Sequence, residues 1–443
     1  MAPVSRRSVL RGLLATSAAG ATTSALSGCG ALVGFATTGG SGMTFFSTQF
    51  NPVEEAERFR QILGRSVDAE VSYVTSDAGQ FHTQIRTQID AGSVRASLLG
   101  GLHGDLAPLA EDGYLTDLTD LVSGLGDLGW PPEFLELARL GTERTWYVPW
   151  AQASFVLGAR TEMLEHLPSG ADVNDLTYDQ LLDWAIAARR ANGNRPVLAL
   201  PAGPKSLLHR FIQGFLLPSF TGGQITTFRS RQAVEAWEYL RELWRNAVPT
   251  STTYDFIQEP LSSGEAAIGW DHVARLVNAP AAEPDKWIMV PSPRGPVGRG
   301  YMVVLLGMGI PRGAPEADTA NRVIAALSEP AAQLDLLRAN AFFPTVRVDL
   351  PTDLPPAITL EAGAVERQRT SADALLALAP VGLGTREGEM NKVFQDCFRS
   401  IVLDGSDIRS TLDSQSAVLN GLLADLNVSC WAPDPPGAPC EVA

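Results

Sequence analysis

The tripeptide Trp270-Asp271-His272 follows a strand-like apolar segment and combines an aromatic face with a carboxylate and an imidazole. Such a set could stack on the C–H face of a polyhydroxylated ring and accept hydrogen bonds from its hydroxyl groups. The alternative is structural, with Asp271 capping the following helix beside a packed tryptophan. We take the tripeptide as a candidate binding element.

Further polar candidates lie in loops beside apolar segments. Gln49 and Asn51 follow the first predicted strand, where a plain turn explains them equally well. Ser206 and His209 precede the apolar run 211–217, and Glu387 precedes the helix that carries Cys397. Each is predicted to contact a ligand.

Enzyme, metal and cofactor patterns are missing from the sequence. It contains no Gly-x-Ser-x-Gly, no His-Glu-x-x-His, and no carboxylate pair that spacing singles out. The five histidines never recur at a four-residue spacing, so the sequence predicts neither a metal site nor a cofactor.

Length and charge limit the classes of partner. The chain has 443 residues, 45% of them hydrophobic, which indicates a globular protein of two or three domains. Its 34 basic residues stand against 49 acidic ones, a net charge of −15. Because a duplex-binding protein needs a basic surface to displace counterions, a nucleic-acid partner is not expected.

The N-terminus has the order of an export signal: Arg6-Arg7, a short apolar stretch, then Leu26-Ser27-Gly28-Cys29. The arginine pair resembles a twin-arginine translocation signal, although a chance pair on a general secretory signal is the alternative. The second element resembles a lipobox, in which Cys29 is lipidated. Residues 1–28 are therefore predicted to be a signal peptide, and residues 29–42 a lipidated flexible tether.

Three cysteines remain after Cys29: Cys397, Cys430 and Cys440. Cys430 and Cys440 flank a Pro-rich segment and could close a short loop, or either could pair with Cys397. The sequence does not choose between these pairings. It favours a disulfide in the tail over a catalytic thiol.

Short apolar segments alternate with helical patterns along the chain. The first strand-like segments are Met43–Ser47, Glu70–Val74 and Ala96–Gly100. Strands separated by helices of this length predict a parallel sheet with helices on both faces. In open sheets of this kind, ligands bind at the carboxyl ends of the strands. The apolar run Met302–Ile310 predicts a central buried strand.

Five segments carry a resemblance to one protein family. They are Ala110–Leu118, Trp146–Trp150 with Ala159–Leu164, Thr177–Leu182, Ser263–Ile268, and Gly309–Pro311 with Asn340–Pro344. Their order and spacing resemble the carbohydrate-type extracellular solute-binding lipoproteins of ABC importers, the maltose-binding-protein-like group (family 1). The resemblance covers almost all of residues 29–428.

The resemblance implies an α/β, two-lobed periplasmic-binding-protein-like fold with hinge-crossing strands and the ligand between the lobes. Residues 43–151 and 304–350 would form the N-terminal lobe. Residues 156–300 and 355–428 would form the C-terminal lobe, followed by a Pro-rich tail at 429–443.

The resemblance also implies ligand contacts. Trp150 and Gln152 lie at the first crossover between lobes, where a core tryptophan with an incidental glutamine is the alternative, and Tyr301 lies at the second. His103 and Asp105 follow the third strand, although Arg95-Ala96-Ser97 replaces the family's usual Pro-Asp-Val before that loop.

The implied function is that of a non-enzymatic, monomeric receptor, lipid-anchored on the outer face of the cell membrane. It would capture an oligosaccharide or amino sugar and deliver it to the permease subunits of an ABC importer. One alternative keeps the receptor but binds a glycerophosphodiester such as glycerophosphocholine, whose phosphate would need Lys205, His209 or Arg210. A secreted hydrolase is the third alternative, and no motif supports it.

Overall fold

The computed structural model describes residues 42–380, 382–383 and 386–443. The predicted signal peptide, Cys29 and the tether up to residue 41 lie outside the described residues. The strands are β1 (Met43–Ser47), β2 (Val71–Thr75), β3 (Leu98–Leu102), β4 (Val148–Ala153), β5 (Phe155–Arg160), β6 (Leu198–Ala199), β7 (Ile268–His272), β8 (Trp287–Val290), β9 (Arg299–Gly309) and β10 (Ala374–Leu378).

Helices occupy most of the connections. The α-helices are α1 (Val53–Ser66), α2 (Ala78–Asp90), α3 (His103–Glu111), α4 (Thr119–Gly124), α5 (Pro132–Arg139), α6 (Tyr178–Ala191), α7 (Leu208–Phe211), α8 (Leu217–Thr221), α9 (Arg231–Trp244), α10 (Gln258–Ser263), α11 (Val273–Leu276), α12 (Ala317–Ser328), α13 (Pro330–Asn340), α14 (Pro356–Arg369), α15 (Glu387–Cys397) and α16 (Ile408–Leu426). Short 3₁₀ helices are Gly126–Leu128, Thr161–His166, Val173–Asp175, Pro249–Thr253 and Pro284–Lys286, and π-helical turns are Ile212–Leu216 and Phe398–Leu403.

The first sheet has the strand order β10-β9-β3-β1-β2, and β4 also pairs with β9. β1 pairs in parallel with β2 and with β3, so that Phe45 lies opposite both Tyr73 and Leu98. Phe45 and Phe46 are both buried, as expected of a central strand covered on two faces. The carboxyl ends of β1 and β3 therefore meet at one edge of the sheet.

The apolar run Met302–Ile310 forms most of β9, the buried strand that the sequence predicted. β9 changes partners along its length: residues 299–303 pair in parallel with β10, and the following residues pair antiparallel with β3 and β4. The predicted lobe boundary at residue 304 lies at this change. The boundaries themselves stay a prediction.

The second sheet has the order β6-β7-β5-β8. Ser154 is the single residue between β4 of the first sheet and β5 of the second. Its hydroxyl donates a 2.8 Å hydrogen bond to the Met302 carbonyl, and the Gln368 amide donates one to the Ser154 hydroxyl. These buried bonds fix the point at which the chain passes from one sheet to the other.

The sequence left the cysteine pairing open, and the structure pairs Cys430 with Cys440. Cys397 is a buried free thiol on α15. Among the described residues, no helix is both long and apolar enough to cross a membrane.

Candidate ligand-binding site

Asp105 lies in the first turn of α3, where the chain leaves the carboxyl end of β3. Its Oδ2 accepts a 2.6 Å hydrogen bond from the Thr48 hydroxyl, which follows β1, and a 2.9 Å bond from the Leu102 amide. The residue is 6% exposed. Burial raises the pKa of Asp105, although both hydrogen bonds favour its ionised form. The fold thus joins two strand ends through one carboxyl group.

Gln49 and Asn51 surround the same strand end. The Gln49 side-chain amide donates to the Thr48 hydroxyl at 2.8 Å, and the Gln49 carbonyl accepts from the Tyr73 hydroxyl at 2.6 Å. Asn51 is exposed, and its side-chain amide donates to the Thr48 carbonyl at 2.8 Å. Both side chains therefore support the turn after β1.

His103 begins α3 and is buried. Its Nδ1 lies 2.6 Å from the Tyr147 hydroxyl. Burial lowers the pKa of His103 to about 4, so the imidazole is neutral at pH 7. His103 can exchange hydrogen bonds with a neutral group but supplies no positive charge.

Arg210 on α7 forms an ion pair with Glu387, the first residue of α15. The guanidinium Nη2 lies 2.7 Å from the Glu387 carboxylate. The Arg210 side chain is 12% exposed and that of Glu387 is 40% exposed. The pair therefore presents mainly the carboxylate to solvent.

Asp105 on α3 and Glu387 on α15 belong to different helices. Burial is the main cause of the raised pKa of Asp105, and the negative charge of Glu387 is the smallest of its causes. We call Thr48, Gln49, Asp105, Arg210 and Glu387 the Asp105–Glu387 site.

Three buried side-chain nitrogens next to Arg210 lack a hydrogen-bond partner of good geometry in the part of the chain that the structure describes. Within the described residues, neither ring nitrogen of His209 has a partner of good geometry, and neither has the Gln213 amide nitrogen. Burial and the charge of Arg210 lower the pKa of His209 well below its usual value. His209 and Ser206 line a cavity of about 260 Å³ together with Thr252, Gln395 and Arg399.

The two predicted tryptophans are buried inside the protein. The Trp150 ring is buried against Phe50 and Phe59. Trp270 is 1% exposed, and its ring stacks on Phe155 with centroids 4.7 Å apart. In this arrangement neither ring offers a free face to a ligand, which agrees with the core alternative considered for Trp150 and with the packed-tryptophan alternative for Trp270.

Asp271 is fully buried beside Trp270. Its carboxylate accepts hydrogen bonds from the backbone N–H groups of Ile257, at 2.9 Å, and His272, at 2.7 Å. Burial raises the pKa of Asp271 to about 7. The cap of α11 is His272, whose Nδ1 accepts from the Ala274 amide, rather than Asp271 as the structural alternative expected.

Gln152 and Tyr301 lie on one face of paired β4 and β9. Gln152 on β4 lies opposite Leu305 on β9. Tyr301 precedes Leu305 by four residues on β9, and side chains alternate along a strand, so Tyr301 and Gln152 share a face. Gln152 lines a groove of about 470 Å³ with Trp130, Arg347 and Arg369, and its amide donates to the Pro344 carbonyl. The structure does not show these two residues in contact with the Asp105–Glu387 site.

The sequence matches the family model of the bacterial extracellular solute-binding proteins over residues 54–334, more than half of the chain. The chain belongs to this family. A search of curated proteins by sequence finds no match.

Solved structures show the fold of this solute-binding protein. Maltose-bound MalE3 of T. maritima has a TM-score of 0.69 at 20% identity, covering 86% of this chain and 99% of the other. UgpB of Mycobacterium tuberculosis, in complex with glycerophosphocholine, has a TM-score of 0.69 at 17% identity, covering 87% of this chain and 99% of the other. MalE of Xanthomonas citri has a TM-score of 0.69 at 16% identity, covering 86% of this chain and 97% of the other. The predicted two-lobed α/β fold is confirmed.

Contacts between helices and loops of the two sheets hold the solute-binding protein in this arrangement. Arg275 on α11 forms an ion pair with Glu55 on α1. The His272 ring lies 5.9 Å from that of Phe342, which in turn lies 5.3 Å from Phe50. Charged and aromatic contacts thus connect segments far apart in sequence.

Thr48, Glu55 and Arg275 were not predicted from the sequence. Thr48 had a usable signal, since it lies between the strand end and the chosen Gln49. Glu55 and Arg275 are 220 residues apart, and each alone is an ordinary surface-type charge on a helix. No local pattern predicts their pairing.

Proposed function

We propose that this solute-binding protein is the receptor of an ABC importer and captures a carbohydrate, an oligosaccharide or amino sugar, at the Asp105–Glu387 site. The observation that carries the proposal is the buried Asp105 carboxyl group, which joins the ends of β1 and β3 through the Thr48 hydroxyl and the Leu102 amide. The Arg210–Glu387 ion pair on α7 and α15 would lie across the site from it. A ligand between them would touch both halves of the fold.

The groups of the site suit hydroxyl recognition. Carboxylates accept hydrogen bonds from sugar hydroxyls, while the Gln49 amide and the Arg210 guanidinium donate to hydroxyl or ring oxygens. A hydroxyl buried without a partner costs about 1–3 kcal/mol, so a site for a sugar needs such a dense set. We propose Gln49, Asn51, His103, Asp105 and Glu387 as contacts, with Ser206 and His209 at an extension of the site.

The remaining predicted residues would act on the ligand indirectly, without contacting it. Trp150, Trp270 and Asp271 underlie the binding surface and fix its shape through packing. Gln152 and Tyr301 lie on the strands that connect the halves, so they act on the ligand through the relative position of those halves.

The charges favour a carbohydrate over a glycerophosphodiester. A phosphate needs a cation or a helix N-terminus. Arg210 is paired with Glu387, burial and the charge of Arg210 keep His209 neutral, and Lys205 is exposed. A choline group could still lie against Asp105 and Glu387, so glycerophosphocholine is the second candidate. A secreted hydrolase is the third candidate, and no motif of the sequence supports it.

Membership of a family of extracellular solute-binding proteins supports binding without conversion. Closure of two lobes around a ligand excludes water and strengthens each hydrogen bond in the site. We propose that the ligand leaves chemically intact and passes to membrane permease subunits, and that the receptor is a monomer.

Export and anchoring complete the proposal. Cys29 would carry the lipid on the outer face of the cell membrane, and the flexible residues 29–42 would let the folded body move away from the membrane surface. The Cys29→Ala variant should be released into the medium in soluble form, while the unaltered chain partitions with membranes. Equal partitioning of both forms would refute the anchor.

Titration calorimetry of the Cys29→Ala chain tests the ligand class. The panel holds maltose, maltotriose, chitin oligosaccharides, glucosamine and glycerophosphocholine. We expect a carbohydrate to bind, to stabilise the fold by about 2.7 kcal/mol at a hundredfold excess over Kd, and to be recovered unchanged. Binding of glycerophosphocholine alone, or cleavage of a ligand, would contradict the proposal.

A further inference from the structure

The C-terminal segment 429–443, which we call the tail, is fastened to the body of the protein. The Cys430–Cys440 disulfide closes it into a loop. Within and beside this loop, the Cys440 amide donates to the Val428 carbonyl at 2.7 Å and the Cys430 amide donates to the Gly437 carbonyl at 3.0 Å. The tail therefore has a defined conformation despite its four prolines.

Asp434 is the main polar contact of the tail. Its carboxylate accepts 2.9 Å hydrogen bonds from the backbone N–H groups of Gln224, Ile225 and Thr226, and a further bond from the Thr226 hydroxyl. The residue is 5% exposed. Four donors on one buried carboxylate make a strong and directional attachment.

A second attachment joins the tail to β10. The Ala432 carbonyl accepts from the Leu378 amide at 2.9 Å and from the Gln224 side-chain amide at 2.7 Å. The same Gln224 amide donates to the Leu378 carbonyl at 3.0 Å. One turn of the tail thus ties the end of β10 to the turn that follows α8.

The two tied segments are connected along the chain to the ion pair of the Asp105–Glu387 site. The helical run from α7 through the π-turn to α8 carries Arg210, Gln213 and, at its end, the turn held by Asp434. β10 ends at Leu378, and the next α-helix in the chain, α15, begins at Glu387. The tail therefore links the segment that bears Arg210 to the strand that precedes Glu387 in the chain.

We propose that the tail is an oxidation-dependent clasp and that Asp434 is a positioning residue for the Arg210–Glu387 wall of the site. The disulfide closes the tail loop, the loop holds Asp434 in place, and Asp434 fixes the end of α8 against β10. The proposal rests on the proposed function only in assigning Arg210 and Glu387 to the ligand site.

The chemistry of the clasp is thiol–disulfide exchange. With dithiothreitol, the reagent gives two electrons and two protons to the disulfide, which becomes the thiols of Cys430 and Cys440, while the reagent closes its own cyclic disulfide. The reverse exchange with an external disulfide refastens the loop. Because such bonds form outside the reducing cytoplasm, fastening would follow export.

Native-state reduction followed by alkylation with iodoacetamide tests whether the clasp opens on its own. Cys397 is buried on α15 and serves as an internal control for global unfolding. We expect dithiothreitol to make Cys430 and Cys440 reactive while Cys397 stays unlabelled. Labelling of all three together, or no reduction of the folded protein, would overturn the proposal.

Hydrogen exchange on the same reduced sample tests the positioning role without any ligand. The amides of Gln224–Thr226 and Leu378 should exchange about tenfold faster, and those of the α7–π-turn run and of α15 should follow, while β1 is unchanged. Acceleration that stops at the amides bonded to the tail would overturn the positioning role. This result does not depend on the ligand, so it is separate from a failure of the proposed function.

Asp434→Asn in the oxidised chain provides a second route. An amide offers one acceptor oxygen and sets an NH2 group against backbone donors, so exchange at Gln224–Thr226 should rise. The control is Asp413→Asn, which removes an exposed carboxylate 3.7 Å from Arg229. Equal exchange in the two variants would contradict the role of Asp434.

Discussion

Glu55 on α1 and Arg275 on α11 form an ion pair that joins a helix after β1 to a helix after β7. The side chains are 11% and 24% exposed. The Arg275 guanidinium also lies 4.8 Å from the centroid of the Phe256 ring. A shielded charge pair of this kind helps to hold the two sheets in the arrangement seen here.

Loss of this pair should favour a more open receptor. In Arg275→Gln, Glu55 keeps its charge without its partner, and the apparent Kd for the tightest carbohydrate should rise roughly tenfold, about 1.4 kcal/mol. Small-angle scattering should show a larger radius of gyration without ligand. Arg60→Gln, which removes an exposed pair with Glu57, is the control and should change neither value. An unaltered radius and Kd in Arg275→Gln would show that the pair does not influence closure.

Removal of the carboxylate that pairs with Arg210 should change ligand preference. In Glu387→Gln the guanidinium loses its ion pair and becomes available to an anion, while the sugar loses a charged acceptor. Carbohydrate affinity should fall by about tenfold, and glycerophosphocholine affinity should fall less, because the freed guanidinium can pair with its phosphate. Calorimetry with both ligands measures the change. The control is Glu389→Gln, two residues along α15 and paired with Arg386. Parallel losses for both ligands would contradict the charge argument.

Trp270 should contribute chiefly to stability. Its ring is stacked on Phe155 and its Nε1 donates a 2.9 Å hydrogen bond to the Ser292 hydroxyl. Trp270→Ala should therefore lower the free energy of unfolding by about 3–5 kcal/mol in urea titrations. Trp146→Ala, at a half-buried site, should cost much less. A large loss of carbohydrate affinity at unchanged stability would instead place Trp270 in direct contact with the ligand.

Asp271 should make stability depend on pH. Its pKa is raised from 3.8 to about 7 by burial, so between these values the folded protein holds more protons than the unfolded chain. The contribution of Asp271 to stability therefore falls as pH rises through this window. Between pH 4 and pH 8, the free energy of unfolding of Asp271→Asn should therefore rise by up to about 4 kcal/mol relative to that of the unaltered protein.

Urea unfolding at pH 4.5, 6 and 8 measures this difference. The histidines act in the opposite direction: burial lowers the pKa of His103 to about 4 and that of His272 to about 3, so their contribution is lost as pH falls below 6.5. Comparison of variant with parent cancels that background. Asp285→Asn, at an exposed position, controls for the lost charge. A difference independent of pH would contradict the raised pKa.

The fold was largely predictable because its signals are local. Met43–Ser47 forms β1 as predicted, and Met302–Ile310 forms most of β9, since continuous apolar runs mark strands buried on both faces. Helix α6 begins at Tyr178, where Thr177 and Gln180 form a capping box whose residue types can be read in the sequence. Residue types alone carried this information.

The site was less predictable because it depends on long-range packing. Trp270 and Trp150 have the composition of stacking platforms, yet only tertiary contacts decide whether a ring faces a ligand or Phe155. The pairing of Arg210 with Glu387, 177 residues apart, likewise has no local signature. Asp105 has a local signal, since a carboxylate after a parallel strand lies where such sheets bind ligands, and its contact with a ligand stays a prediction.

Hydrogen exchange with and without the tightest carbohydrate shows whether one ligand contacts both halves of the fold. We expect simultaneous protection of Thr48–Asn51, of Leu102–Asp105, of the α7 segment at Arg210 and of the start of α15. Protection of only one of the two halves, or protection confined to the groove at residues 343–348, would contradict it.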